Sequence, residues 1–540
     1  MNMKTGVAYY PEYYHERYWS GHLDKIKNAG ISRIRFGEFA WASLEPHQGK
    51  YNWEWMDRAI ELAGQYGIEV MLGTPTACPP IWLVERYPDV LPVDAEGRRT
   101  GFGARQHRCY NSPAYLEHSS LIVEALASRY GSHPSVVAWQ IDNELGGEQK
   151  MCYCSHCQHS FQSALQGRYG SIDELNNRWG TVFWSQQYQD FNQIPVPSAF
   201  ASDLPMQHHP SLRLEFARFC SNSIIRFSDR QASIIRTHSD RLITTNADTF
   251  RWGDNVDLYR LFQGLDIASI DIYSDLPYEL GFYFDLMRGV KRKPFWTLEF
   301  DGRSTILEEA MKLAAGRSCE YFSIFNFTPF PWGQEQGHFG LLSTTGKELP
   351  NYYTVQRWNN ESFQGQSLPN DSSVAIYYDF DSSWVYSLSS WYERYEDKWT
   401  YPKAMIHALY RSLFEEAGGC DFIFEPNQLN KYDTVILPWH IVYSEQLESA
   451  LLAFIENGGK LITTADLFRK NRDNVLLTEA PEFFRTLKQD EDPHFPEESL
   501  PVKGNYIFEK LFGKGEIRMT KLWPSLEEWK QILRESAISR

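Results

Sequence analysis

Several features that would assign this chain to a common functional class are missing. Its 540 residues contain no apolar run of about 18 residues, the length a membrane-spanning helix requires. The amino-terminal stretch also lacks the apolar core of a secretory signal, so we expect a cytoplasmic protein without a membrane partner. In reducing cytoplasm, its 8 cysteines are expected to be metal ligands or buried thiols before disulfides.

Positive charge is scarce as well. Lys and Arg total 53 against 69 Asp and Glu, so the formal net charge is −16. Nucleic acids and anionic membranes bind clustered cations, and we therefore expect neither as a partner. No phosphate-binding loop, serine-hydrolase elbow or zinc-protease helix is found. Aromatic residues, in contrast, reach 15%, and their flat rings suit sugar stacking as well as cores.

The first 330 residues alternate short apolar runs with helical patterns. One predicted helix covers Ala114–Tyr130, with Ser112 as its cap and Gly131 as its stop. Eight strands are predicted, at Gly6–Tyr9, Ser32–Phe36, Glu69–Gly73, Val136–Ile141, Leu242–Thr245, Ile267–Asp271, Phe295–Leu298 and Tyr321–Phe325. Eight strand–helix units favour a (β/α)8 TIM barrel. From periodicity alone, an open doubly wound sheet is the alternative.

The remainder of the chain suggests further parts. Residues Tyr169–Pro210 are rich in Trp, Gln and Pro and indicate a long ordered insertion. Residues Gly346–Ser372 indicate a boundary, after which the alternation resumes. We therefore predict a barrel over residues 1–365, a smaller α/β domain over 366–487 and a short C-terminal region over 488–540, with a terminal helix near Leu526–Ser536.

Two predicted strands end in acidic residues. Glu144 follows the fourth strand in the run Asp142-Asn143-Glu144, and Glu299 ends the seventh. Polar residues at the carboxyl ends of barrel strands face the active site. A protonated and an ionised carboxyl at such positions could flank a glycosidic bond. The alternative is that each glutamate caps a helix or pairs with an arginine.

Three cysteines lie within six residues, at Cys152, Cys154 and Cys157. With one distant thiol, this spacing predicts a tetrahedral structural zinc site, because four thiolates leave no open position for catalysis. His156 and His159 are alternative ligands by composition. Three unrelated free thiols are the other interpretation.

Glu335 and His338 stand three residues apart after the last predicted strand. Both side chains can hydrogen-bond a sugar hydroxyl. Taken alone, the pair is more typical of a solvated loop, and so is the basic run Lys291-Arg292-Lys293.

Longer stretches resemble glycoside hydrolase family 42, the β-galactosidases. The matching stretches cover the barrel almost continuously and continue into the second domain. They include Gly37-Glu38-Phe39-Ala40-Trp41 followed by Leu44-Glu45-Pro46, Thr74-Pro75-Thr76-Ala77-Cys78-Pro79-Pro80-Ile81-Trp82-Leu83, Arg105-Gln106-His107-Arg108-Cys109-Tyr110-Asn111-Ser112-Pro113, and the segment from Asn176 to Ile194.

The resemblance implies a retaining hydrolase that acts on a small oligosaccharide or galactoside. It implies that Glu144 is the general acid/base and that Glu299 is the nucleophile. By the same resemblance, Tyr273 is a partner of Glu299 and Trp184 is a wall of the pocket. The residues matching those that hold the sugar are Arg105, Asn143, Glu335 and His338.

The resemblance also implies a metal and an assembly. The four cysteines that hold the family's structural zinc match Cys109, Cys152, Cys154 and Cys157. Such a zinc would cross-link the segment after strand four to the loop that carries Arg105. The second domain resembles the family's flavodoxin-like trimerisation domain, which implies a homotrimer.

The sequence departs from the family near the expected sugar site. Glu299 is followed by Phe300-Asp301-Gly302-Arg303 where the family usually has Gln, Pro and Gly. Leu307 stands about where a Trp is expected, and Phe327-Thr328 replaces a Trp-Arg pair. A galactose-like sugar, such as an α-L-arabinopyranoside or a β-D-fucoside, is therefore an alternative substrate. A non-catalytic sugar-binding barrel and a zinc-ribbon interaction module are the non-enzyme alternatives.

Overall fold

Nine parallel strands form one sheet in the first of two structural units. These units are residues 1–157 with 220–367, and residues 158–219 with 368–540. The computed structural model describes residues 3–147, 151–198, 208–248, 256–361, 372–388, 404–486 and 505–538. The nine strands are β1 (Lys4–Ala8), β2 (Arg33–Phe36), β3 (Glu69–Gly73), β4 (Val136–Gln140), β5 (Leu242–Thr244), β6 (Ala247–Asp248), β7 (Ser269–Ile272), β8 (Phe295–Phe300) and β9 (Cys319–Ile324).

The order of the strands shows that this sheet closes into a barrel. The order is β5-β4-β3-β2-β1-β9-β8-β7-β6, so the two edge strands are β5 and β6. Only Thr245 and Asn246 separate these two strands along the chain, which makes them two halves of one barrel strand. The predicted (β/α)8 barrel is therefore confirmed, with its fifth strand interrupted at Asn246.

Helices connect the strands where the sequence pattern predicts them. The helix Pro113–Tyr130 has Pro113 at its first position, and the Ser112 hydroxyl accepts a hydrogen bond from the Tyr115 amide. The first unit also contains, wholly or in part, the helices Trp19–Asn28, Trp41–Leu44, Glu54–Gln65, Ile81–Arg86, Ser155–Tyr169, Pro210–Arg236, Leu258–Gln263, Pro277–Lys291, Leu307–Gly316 and Pro350–Asn360.

The last of these helices changes the interpretation of the predicted boundary. Residues Gly346–Ser372 contain the helix Pro350–Asn360, whose Pro350 begins the helix rather than breaking it. Asn359 accepts a hydrogen bond from Thr5 of β1 at 3.0 Å, so this helix belongs to the barrel. The stretch that joins the two domains therefore begins after Asn360, and residues 362–371 lie outside the described part of the chain.

A six-stranded sheet forms the centre of the second unit. Its order is β11-β10-β12-β13-β15-β14, and only β14 runs antiparallel to its neighbour. The strands are β10 (Val374–Tyr377), β11 (Asp421–Ile423), β12 (Thr434–Leu437), β13 (Lys460–Thr464), β14 (Tyr506–Phe512) and β15 (Gly515–Thr520). The other helices are Ile172–Trp179, Phe380–Ser387, Arg411–Ala417, Glu445–Glu456, Glu482–Thr486 and Leu526–Glu535, with a π-helical turn at Ala404–Tyr410.

The C-terminal region is thus better integrated than its sequence suggests. Strand β15 pairs in parallel with β13, and β14 completes the edge of the sheet. Only the final helix of this region is evident from the sequence, because β14 carries the consecutive charged residues Glu509 and Lys510, which interrupt the alternation of apolar and polar residues. Across the described residues, no helix is both long and apolar enough to cross a membrane.

Candidate active site

Glu144 and Glu299 meet at the carboxyl ends of the barrel strands. Glu144 follows β4, whereas Glu299 lies near the end of β8. Their exposed fractions are 3% and 5%, so both are buried. One carboxylate oxygen of each residue, together with one from Asp271, lies within a set of atoms no more than 4.8 Å apart. The structure thus brings together the two glutamates that the sequence placed on different strands.

Both carboxylate oxygens of Glu299 have a donor. Arg35, fully buried on β2, forms an ion pair with Oε1, and the hydroxyl of Tyr273 donates to Oε2 at 2.5 Å. Burial and the nearby Glu299 charge raise the pKa of Tyr273, so its phenol keeps the proton that it donates. These contacts hold the Glu299 carboxyl group in one orientation.

Neighbouring residues hold both the carboxyl group and the backbone of Glu144. Arg105 Nη2 lies 3.0 Å from Oε2 of Glu144, and Asn143 Nδ2 donates to the same oxygen at 3.2 Å. The backbone φ of Glu144 is +45°, a region that non-glycine residues seldom adopt. Asn246 accepts from the Glu144 amide at 3.0 Å, and Gln106 donates to its carbonyl at 3.0 Å, so both backbone groups are fixed.

A buried ion pair supports the turn that presents Glu144. Asp142 is fully buried, accepts from Arg108 at 2.6 Å and accepts from the Thr76 hydroxyl, also at 2.6 Å. The Asn143 amide donates to the same carboxylate at 2.8 Å. Arg108 and Thr76 both lie in stretches that carry the family resemblance, so these motifs shape the turn behind the acid.

The sugar-holding set predicted from the sequence is only partly assembled. Arg105 Nη1 lies 3.8 Å from Glu335, and because Arg105 also pairs with Glu144, Glu335 lies on the same side of the site as Glu144. His338 is exposed and packs on Phe339, with ring centroids 5.1 Å apart. Its backbone amide donates to the Glu335 carbonyl, so one tight turn presents both residues. Trp184 belongs to the other unit and is 69% exposed.

The segment that departs from the family lies beside the Glu299 partners. Arg303 donates its amide to Asp301 at 2.7 Å, and its guanidinium stands 5.4 Å from the centre of the Phe339 ring. That ring is 5.7 Å from the ring of Tyr273. Leu307, in contrast, is 1% exposed within the barrel core. Arg303 therefore changes the surroundings of the site, whereas Leu307 is part of the buried core.

The four predicted zinc ligands come together in a second cluster. The sulfur atoms of Cys109, Cys152, Cys154 and Cys157 all lie within 4.8 Å of one another and are buried. Cys109 Sγ is 3.5 Å from that of Cys154 and 3.4 Å from that of Cys157. Zinc–sulfur bonds of about 2.3 Å place thiolates about 3.7 Å apart in a tetrahedron, so this donor set fits the ion.

Neither alternative histidine ligand joins this cluster. His156 Nε2 lies 2.6 Å from a carboxylate oxygen of Asp89, and His159 is exposed. None of the eight cysteines forms a disulfide bond in the structure.

Three polar residues of the site were missed from the sequence. Arg35, Asn246 and Asp271 are all completely buried at strand ends. Arg35 alternates with apolar residues on β2. Asp271 lies on β7, two residues before Tyr273, which follows that strand. Strand periodicity therefore places Arg35 and Asp271 on the inner face of the barrel. Asn246 falls at the break between β5 and β6, where no periodicity signal exists.

Sequence comparisons agree with this architecture. The family described as beta-galactosidase matches residues 8–364, and the beta-galactosidase trimerisation domain matches residues 372–484. A beta-galactosidase of Thermus thermophilus is 34% identical over 493 residues, covering 85% of this chain and 74% of the relative. Beta-galactosidase BgaH of Haloferax lucentense is 32% identical over 506 residues, covering 88% and 74%.

Solved structures give the same result. The beta-galactosidase from the Antarctic haloarchaeon Halorubrum lacusprofundi superimposes with a TM-score of 0.87 and 27% identity, covering 99% of this chain and 89% of that one. With the barrel, the paired glutamates and two family matches in sequence order, this chain belongs to glycoside hydrolase family 42 and is an enzyme of the β-galactosidase type.

Proposed function

We propose that this enzyme hydrolyses terminal β-D-galactosides with retention of anomeric configuration. The observation that supports this most directly is the approach of Glu144 and Glu299 to within 4.8 Å. Retaining enzymes hold their two carboxyl groups about 5–5.5 Å apart, whereas inverting enzymes need about 6.5–9.5 Å to admit a water. The short separation therefore favours direct attack by one carboxylate.

In the first step, Glu299 attacks the anomeric carbon while Glu144 gives its proton to the glycosidic oxygen. The bond between that carbon and oxygen breaks, the aglycone leaves as an alcohol, and an ester joins the sugar to Glu299. Arg35 and Tyr273 suit Glu299 to this task, because they hold its charge and leave it a single orientation.

In the second step, water attacks the anomeric carbon and gives its proton to Glu144, which now acts as a base. The ester bond breaks, Glu299 regains its charge and the sugar leaves as the β-anomer. Arg105 and Asn143 contact Glu144, Glu335 lies beside Arg105, and His338 belongs to the same turn as Glu335, so all four residues are suited to bind sugar hydroxyls.

The identity of the sugar is tested by a panel of nitrophenyl glycosides. We expect the highest kcat/KM with the β-D-galactoside, followed by the α-L-arabinopyranoside and the β-D-fucoside, which share its ring stereochemistry. Because Arg303 and Phe339 stand beside Tyr273, the altered segment could shift this order. A preference of tenfold or more for either alternative would replace galactose as the principal substrate, and hydrolysis of none would favour a sugar-binding protein.

We further propose that Cys109, Cys152, Cys154 and Cys157 hold one structural zinc. Support comes from the four sulfur atoms, which lie within 4.8 Å of one another. The ion would tie Cys109, in the loop of Arg105, to the segment after β4. When bound, it supplies cross-linking rather than catalysis, because four thiolates complete its coordination.

We also propose a homotrimer in the cytoplasm. The match of residues 372–484 to a trimerisation domain supports the assembly. A closed ring repeats one heterologous contact, so each chain contributes two different surfaces. The exposed Trp184 is a candidate to reach the pocket of a neighbouring chain. Light scattering should give about 189 kDa for the assembly, and a fully active particle of 63.0 kDa would rule out the trimer.

A further inference from the structure

A third buried carboxyl lies between the two proposed catalytic glutamates. Asp271 is completely buried on β7 and is paired in the sheet with Glu299 of β8. One of its oxygens lies within 4.8 Å of an oxygen of both Glu144 and Glu299. Hydrolysis with retention uses two carboxyl groups. The third therefore has a different task.

The contacts of Asn246 indicate that task. Its Nδ2 donates to Asp271 Oδ2 at 2.5 Å and to Asn143 Oδ1 at 2.9 Å. Its Oδ1 accepts from the Glu144 amide at 3.0 Å and from Gln140 Nε2, also at 3.0 Å. An amide group offers two donor hydrogens and two acceptor sites, and all four are used here. Asp271 therefore anchors the Asn246 amide group, and that group in turn positions Glu144 and Asn143.

The charges around Asp271 restrict its protonation state. The guanidinium of Arg35 pairs with Glu299, and that of Arg105 pairs with Glu144. Burial and the charges of Glu299 and Glu144 raise the pKa of Asp271 well above its usual range, against the opposite effects of Arg35 and Asn246. An ionised Asp271 would place a second negative charge within 4.8 Å of Glu299 in a buried site, and the cation Arg35 pairs with Glu299, so Asp271 is the acid of this pair that keeps its proton.

We propose that Asp271 is a positioning residue that works as a neutral carboxylic acid. It anchors the Asn246 amide, and through that amide the Glu144 backbone and the Asn143 side chain, without adding a second negative charge beside Glu299. The proposal rests on the proposed function, since it concerns the reaction of Glu144 and Glu299. Asp271 itself makes or breaks no bond in that reaction.

Two substitutions separate the hydrogen bond from the charge. Asp271→Asn keeps a neutral side chain of the same shape with an acceptor oxygen for Asn246. Asp271→Ala removes the acceptor. We expect Asp271→Asn to keep kcat within about fivefold of wild type, and Asp271→Ala to lower kcat by about tenfold or more with little change in KM, because positioning acts on the chemical step. Wild-type kcat in Asp271→Ala would overturn the proposal.

The pH profile tests the charge directly. The titratable groups facing Asp271 are Glu144 from the loop after β4, Glu299 from β8 and Arg35 from β2, with Tyr273 beside them. We expect the alkaline limb of kcat/KM in Asp271→Asn to coincide with that of wild type. If Asp271 is instead ionised, its removal as a like charge lowers the pKa of Glu144 and moves that limb to lower pH, which would overturn the proposal.

An infrared measurement keeps the test decisive if Asp271→Ala fails to fold. In a Glu144→Gln background, the general acid contributes no carboxylic acid band. The spectrum at neutral pH should then show a protonated-acid carbonyl stretch that disappears when Asp271→Asn is added. Absence of that difference would show an ionised Asp271. Full activity in Glu144→Ala and Glu299→Gln would instead refute the proposed function, and it would leave this infrared result standing.

Discussion

The hydroxyl of Tyr273 donates to Oε2 of Glu299 at 2.5 Å. Arg35 occupies the other oxygen of the same carboxylate, so a neutral donor and a cation together fix its position. Arg35 also donates to Gln140 at 2.9 Å, which ties this arrangement to the end of β4. The orientation of the proposed nucleophile is therefore set by residues from three barrel strands or their ends.

Tyr273→Phe should lower kcat by about 10- to 100-fold, because a hydrogen bond to a charged group is lost while the ring is kept. KM should change little, since the phenol contacts the nucleophile. Steady-state kinetics on a nitrophenyl galactoside provides the measurement. Tyr352→Phe is a matched control, because the Tyr352 hydroxyl donates to the backbone carbonyl of Lys25 on the helix Trp19–Asn28 and not to an active-site group among the described residues. Equal kinetics in both variants would remove Tyr273 from the mechanism.

Glu144→Ala should lower kcat with a substrate of poor leaving group by roughly 10²–10⁴-fold, the usual contribution of a general acid. With an activated aryl galactoside, the first step needs little acid assistance, and azide should then restore turnover by replacing water as nucleophile. The product of rescue should be the β-galactosyl azide. An α-azide, or no response to azide, would contradict the assignment of Glu144.

Loss of the cysteine cluster should lower the stability of the barrel unit without a specific effect on the catalytic reaction. Cys154→Ser should bind less than one zinc per chain and should lower the Tm by several degrees, because the metal stabilises the fold through its bonds. Metal analysis and thermal unfolding are the measurements. Cys319→Ser is the matched control, since Cys319 is buried in the same unit outside the cluster. If Cys154→Ser kept the Tm of the wild-type protein after treatment with a chelator, that result would contradict a structural zinc.

An acid outside the proposed mechanism, half-buried but with both carboxylate oxygens buried, predicts how stability depends on pH. Glu12 follows β1, and both of its carboxylate oxygens lack a hydrogen-bond partner among the described residues. Burial raises the pKa of Glu12 to about 8, with Glu38 adding to the effect. The unfolded chain releases this proton near pH 4.5, whereas the folded protein keeps it until about pH 8. Stability is therefore lost between these values as the pH rises.

Glu12→Gln removes this proton linkage. The variant should match wild type near pH 4 and should exceed it by roughly 3–5 kcal/mol at pH 8.5, because only wild type must bury a charge or protonate an acid there. Unfolding curves across this range provide the test, with Glu61→Gln on the exposed face of the helix Glu54–Gln65 as control. A stability difference that stays constant with pH would show that Glu12 does not titrate in this way.

The sequence predicted the parts of the site that lie on periodic strands. The runs ending at Glu144 and Glu299 are apolar strands with abrupt polar ends, and this local pattern located both residues. Cys152, Cys154 and Cys157 were equally visible, because their spacing is a local signal. Cys109 was identified only through the family resemblance, since nothing near it in the chain indicates a partner 43 residues away.

Residues whose task depends on distant partners could not be found in this way. Asn246 is identified by its four hydrogen bonds, and these join strands far apart in the chain. Strand β14 was missed because an edge strand with most of its residues partly exposed carries a weak hydrophobic pattern. The helix Pro350–Asn360 was hidden because Pro350 suggests a break but in fact begins the helix.

Trapping of the glycosyl-enzyme tests the proposed reaction most directly. A 2-deoxy-2-fluoro-β-D-galactoside with an activated leaving group slows the second step more than the first, so the ester with the nucleophile accumulates. We predict inactivation with one fluorosugar per chain, and peptide mass spectrometry should place it on Glu299. Glu299→Gln should take up no label. Label on any residue other than Glu299, or turnover of the fluorosugar with the α-anomer as first product, would contradict retention through this carboxylate.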